Sequence, residues 1–178
     1  MNRKICIVEL VIILLTSCGV NMHKQDALSS FYATPFLFPE SVSVIQGGML
    51  HAGNTMPEQG LRLVYFFNDY DCSECVVSHL SELERLFEKG SYNLVVWFHV
   101  YDEEVLTLLS LLQEAAYEFP VYVSVRQPDI NLPELLNYPE YRVFLLDGDS
   151  KPIMIGNPLR DDAIADSLAI IGGVDSNH

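Results

Sequence analysis

Two periods of apolar residues organise the chain from Leu63 onward. Leu63 to Phe67 is a short continuous apolar run, the mark of a buried strand. Val76, Leu80, Leu83 and Phe87 then recur at helical spacing, with Glu82, Glu84, Arg85 and Glu88 elsewhere, which predicts a helix over Cys72 to Glu88, stopped by Lys89-Gly90. NLVVWFHV (Asn93 to Val100) reads as a second buried strand. Asp102 is placed to cap a helix with Val105, Leu108, Leu109 and Leu112 inward, ended by Pro120. Val121 to Val125 is a third strand, and a small helical turn is expected near Pro133 to Leu136. Arg142 to Leu146 and Pro152 to Gly156 form a hairpin about Asp147-Gly148-Asp149. Asp161 to Ile171 closes the chain as a helix, with Ile164, Leu168 and Ile171 on one face. Before Leu63 the pattern is weaker. Val42 and Val44 alternate with serines and predict a strand over Ser41 to Ile45, and Gly47-Gly48 and Gly53-Asn54 read as turns. The order β-α-β-α-β, hairpin, α is that of a single α/β domain.

The N-terminus follows another logic. Arg3 and Lys4 precede an apolar stretch, Ile5 to Leu15, interrupted only by Cys6 and Glu9, and it ends in Leu15-Thr16-Ser17-Cys18. This is the architecture of a secretory signal and is too short for a comfortable membrane span. An uncleaved anchor helix is the alternative. The last four residues resemble a bacterial lipobox. That resemblance implies that Cys18 is lipidated and becomes the first residue of the mature chain. The expected organisation is a signal over 1–17, a tether over 18–35 and a domain over 36–178. Gly19 follows the cysteine, and by resemblance to lipoprotein sorting patterns this favours an outer-membrane anchor on the periplasmic face. The net charge of −14 argues against nucleic acid as a partner and accounts for solubility.

With Cys6 lost in the leader and Cys18 lipidated, Cys72 and Cys75 remain. A disulfide between residues three apart closes too small a loop to staple a fold. Free thiols in an oxidising compartment do not stay inert, so redox use is expected. The pair lies where the first clear strand gives way to its helix. A helix start stabilises a thiolate through its free N–H groups and dipole, so Cys72 is expected to attack. Cys75, one turn further and expected to be buried deeper, would resolve the mixed disulfide. Asp69, Asp71 and Glu74 surround the pair with negative charge that disfavours thiolate and biases the couple toward reduction or isomerisation. Tyr70 and Ser73 complete the flank. Cys72, Cys75 and His79 share a helix side, but no second Cys/His cluster offers a fourth zinc ligand, so neither metal nor cofactor is expected. His99 reads as a satisfied core or rim histidine and Trp97 as core.

YFFNDYDCSEC and the later VFLLDGDSKPIMIGNPL resemble the thioredoxin superfamily in its TlpA-like, membrane-anchored bacterial branch. The resemblance spans roughly Leu63 to Ile171. It implies a three-layer fold, with a central mixed sheet flanked by helices, and a periplasmic thiol–disulfide oxidoreductase. Its partners would be protein disulfide substrates and a membrane electron donor, and the family assigns the same attacking and resolving roles to Cys72 and Cys75. Three positions depart from the family pattern. The place of the family's cis-proline falls at Tyr141. Tyr70-Asp71 precedes Cys72 where thioredoxins carry tryptophan. The strand Leu63 to Phe67 holds no acid. These departures favour a second reading, a catalytically weak thioredoxin-fold binding or scaffold lipoprotein.

Overall fold

A computed structural model describes residues 23–57, 59–68, 71, 73–87, 92–126 and 132–172, without the side chains of residues 81–82 and 84–87. The expected signal, Cys18, Asp69, Tyr70 and Cys72 lie outside the described residues. The elements are α1 (residues 23–33), β1 (Val42–Gln46), β2 (Met49–Asn54), β3 (Arg62–Asn68), α2 (Ser73–Phe87), β4 (Asn93–Val100), α3 (Asp102–Glu114), β5 (Val121–Val125), β6 (Val143–Leu146), β7 (Pro152–Ile155) and α4 (Asp162–Ile171). Two 3-10 turns, Glu134–Asn137 and Pro139–Tyr141, lie between β5 and β6.

The strands form one sheet in the order β2-β1-β5-β4-β3-β6-β7. β3, β4 and β5 run parallel, while β1, β6 and β7 pair antiparallel with their neighbours. This is the central mixed sheet flanked by helices that the sequence led us to expect. Both parallel crossovers step the same way across the sheet. Crossovers of one hand therefore put α2 and α3 on the same face. Strand alternation then divides the core. Leu63, Tyr65, Val96, Phe98, Val143 and Leu145 meet α2, α3 and α4 through Leu80, Leu108 and Leu168. Val64, Phe66, Val95, Trp97, Phe144 and Leu146 face the other way, onto Phe31 of α1 and Leu135 and Leu136 of the first 3-10 turn.

Several boundaries differ from expectation. Residues 23–33, assigned to the tether, form a helix whose Phe31 is buried beside Phe144, with ring centroids 5.2 Å apart. Beyond the Gly47-Gly48 turn the chain returns as β2, an edge strand exposed along most of its length. Both glycines have positive φ, 55° and 72°, as a tight two-residue hairpin requires. Tyr101, not Asp102, is the N-cap of α3. The Glu104 carboxylate accepts the Tyr101 N–H at 2.9 Å, and the Glu104 N–H donates to the Tyr101 carbonyl at 3.0 Å. The same helix ends at Glu114, before Ala116 turns to φ 51°, well ahead of Pro120. Asp161 caps α4 by accepting the N–H groups of Ala163 and Ile164.

Candidate functional site

The carboxyl end of β3 and the start of α2 meet the loops before β6 and after β7. Between them lies a cleft of about 520 Å³. Tyr65, Phe66 and Phe67 of β3, Asp71, Cys75, Val76 and His79 line one side. Pro139, Arg142 and Val143 and the loop residues Asn157, Leu159 and Arg160 line the other.

β3 ends at Asn68, and the next described residue, Asp71, folds back on it. The Asp71 N–H donates to the Asn68 carbonyl and the Asn68 N–H donates to Asp71 Oδ2, both at 2.9 Å. The same carboxylate receives Arg142 Nη1 at 2.8 Å on Oδ1 and 2.7 Å on Oδ2. Arg142 is 6% exposed, a depth at which a guanidinium needs its charge matched and its donors used. Its Nε donates to the Leu136 carbonyl at 2.8 Å and its Nη2 to the Asn137 carbonyl at 3.4 Å. Its own carbonyl accepts the Phe66 N–H at 2.9 Å, joining β3 to the approach to β6.

Cys75 lies in the first turn of α2 and is exposed to the cleft. This corrects the expectation of a more deeply buried sulfur. Val77, Leu80 and Leu83 face the core, while Cys75, five residues before Leu80, points about 140° away from it around the helix. His79 follows Cys75 by one turn, so the two share a face and both border the cleft. Ser73 begins α2 half-buried, and Glu74 beside it is exposed and does not line the cleft.

The acidic surroundings also need correction. Of the three carboxylates expected to oppose a thiolate, Asp71 is matched by Arg142, Glu74 faces solvent, and Asp69 lies outside the described residues. The sequence expectation placed Tyr141 opposite the cysteines. Tyr141 instead ends the second 3-10 turn, packs toward the aromatic layer on the other face and meets Tyr138 at 6.2 Å. The residue facing the cleft is its neighbour Arg142, and no cis peptide bond occurs among the described residues.

Tyr65 places its hydroxyl 3.4 Å from Asn157 Oδ1, and burial pushes its pKa far up, so it remains a neutral donor. The loop carrying Asn157 leaves β7 at Gly156, with φ +140°, where a Cβ would stand 2.8 Å from Ile164 Cδ1. His99 is buried on the opposite face of the sheet, with Nδ1 2.8 Å from Ser124 Oγ, which also accepts Trp97 Nε1–H at 2.8 Å. Among the described residues no group of three or more His, Cys, Asp or Glu side chains could hold a metal ion, and no helix is long and apolar enough to cross a membrane.

No family model matches the sequence, and no curated protein matches it. Among solved structures, the chain is similar to the thioredoxin domain of a thiol–disulfide oxidoreductase from Bacteroides vulgatus, at 14% identity and a TM-score of 0.45, over 78% of this chain and 98% of that one. A thiol–disulfide isomerase from Corynebacterium glutamicum is similar at 15% identity and 0.46, over 75% and 95%. A thiol:disulfide interchange protein from Bacteroides sp. is similar at 15% and 0.42, over 81% and 93%. Sequence reasoning missed Arg142, Asn157, Leu159 and Arg160 as cleft residues. The Asp71–Arg142 pair joins positions 71 residues apart, and no local pattern announces such a contact.

Proposed function

We propose that the chain is a periplasmic thiol–disulfide oxidoreductase, with a reductase or isomerase bias, working through Cys72 and Cys75. The observation that carries this reading is the exposed Cys75, in the first turn of α2, opening on a cleft at the end of β3 that has apolar walls and a matched ion pair. A cleft of this kind can seat an extended peptide while a cysteine on its rim stays within reach of the peptide's sulfurs.

The chemistry balances within the pair. The Cys72 thiolate attacks one sulfur of a substrate disulfide, forming a mixed disulfide and expelling a substrate thiolate that takes up a proton. Cys75, as thiolate, then attacks the Cys72 sulfur and releases the second substrate thiolate. Two electrons pass to the substrate, the protein is left with a Cys72–Cys75 disulfide, and a membrane dithiol donor reverses the change. The exposure of Cys75 leaves the attacking role of Cys72 resting on its place beside the first turn of α2. Lipidation at Cys18 and an outer-membrane anchor on the periplasmic face belong to the same proposal, supported by the Leu15-Thr16-Ser17-Cys18 sequence.

Trapping tests the roles. The Cys75→Ser protein should accumulate substrates as mixed disulfides that reductant releases, and Cys72→Ser should trap few. Equal trapping, or faster alkylation of Cys75 than of Cys72 in the reduced protein, overturns the assignment. A binding or scaffold role is favoured by one observation, the trans, arginine-bearing approach to β6. It predicts no reductant-sensitive adducts in either variant.

A further inference from the structure

We propose that Arg142 is the positioning residue of this site. Clamped on Asp71, it holds the entry to α2 against the start of β6 and cancels the carboxylate charge beside the cysteines. The proposal rests on the Cys72–Cys75 reading above. Its basis is a closed circuit of contacts. β3 reaches Asp71 through the paired Asn68 hydrogen bonds, Asp71 reaches Arg142 through both carboxylate oxygens, and Arg142 returns to β3 through the Phe66 N–H. The Leu136 and Asn137 carbonyls hold the rest of the guanidinium, so it cannot swing away without abandoning buried donors. Asp71 is covalently next to Cys72, and Cys75 shares the cleft with both members of the pair. An unmatched Asp71 would oppose any thiolate formed there, whereas the matched pair presents no net charge.

The test follows iodoacetamide alkylation of each cysteine against pH in the reduced protein, with circular dichroism as the check on folding. Arg142→Gln leaves the Asp71 charge uncompensated. Alkylation of Cys72 at pH 7 should slow about three- to fivefold and its midpoint should rise, as expected for one partly exposed carboxylate on the neighbouring residue. Asp71→Asn leaves the Arg142 charge uncompensated and should accelerate alkylation by a similar factor. The double variant restores neutrality but loses the clamp. Its pH profile should return to wild type, while closure of the Cys72–Cys75 disulfide from a glutathione mixed disulfide should slow about tenfold.

Single variants that keep the wild-type profile, or shift it in the same direction, overturn the proposal, as does a double variant that closes at the wild-type rate. If Arg142→Gln does not fold, Asp71→Asn decides alone: acceleration supports the proposal and an unchanged rate overturns it. Alkylation and closure need only the two thiols. A wild-type protein that never turns over on protein disulfides, yet shows these opposed shifts, would sink the oxidoreductase reading and leave the role of Arg142 standing.

Discussion

Replacing Ser124 with Ala strips a hydroxyl from a place where water cannot substitute for it. Ser124 is 2% exposed, and its oxygen accepts the Trp97 indole N–H at 2.8 Å while lying 2.8 Å from His99 Nδ1. A hydroxyl offers one donor and two lone pairs. The indole can only donate, so it occupies one lone pair, and the O–H with the other lone pair serves His99 in either tautomer. Alanine leaves the indole N–H buried without this acceptor, at a cost of about 1–3 kcal/mol, and removes a second hydrogen bond worth about 1 kcal/mol. The lost volume is small, so the expected destabilisation is about 2–4 kcal/mol. Trp97 is the single tryptophan of the chain and is fully buried, so its fluorescence reports unfolding without interference. In urea, with a slope of about 2 kcal/mol/M, the midpoint should fall by about 1–2 M at unchanged slope. A midpoint within about 0.2 M of wild type would mean that neither hydrogen bond contributes to stability.

Cys18→Ser should abolish labelling by a fatty-acid probe and release the protein from the membrane fraction; retained label and normal partitioning would rule out the lipid anchor. Glu74→Gln removes an exposed carboxylate from the first turn of α2. It should lower the Cys72 pKa and make the couple more oxidising, by less than about 30 mV, the change that corresponds to about 1.4 kcal/mol. An unchanged or raised pKa by thiolate absorbance would show that this side chain does not sense the sulfurs.

The strands β3, β4 and β5 were legible because both faces of the sheet are covered there, and burial on both faces writes a continuous apolar run into the sequence. α1 was not legible. Within residues 23–33 only Ala27, Leu28 and Phe31 reach the core, too few for a helical period to stand out from a polar linker. β2 was missed for a related reason: an exposed edge strand needs no alternation. At the site, the place of the C-x-x-C motif between β3 and α2 could be read from Leu63 to Phe67 and the helical stripe that follows. The exposure of Cys75 could not, since it depends on how α2 is rotated about Val77, Leu80 and Leu83. Arg142 stands one residue from the position anticipated at Tyr141. The 3-10 turn Pro139–Tyr141 packs the tyrosine toward the aromatic layer, and the arginine that follows it borders the cleft.

The measurement that bears most directly on the central claim is the reduction potential of the Cys72–Cys75 pair, taken by equilibration of the purified protein with glutathione at low salt. With Asp71 matched by Arg142 and Glu74 in solvent, the charge opposing the thiolate is moderate. A reversible two-electron couple is expected between about −270 and −180 mV, the span from reducing to isomerising dithiol proteins. A pair that never closes reversibly, or one that settles near about −120 mV with the strong oxidants, would contradict it.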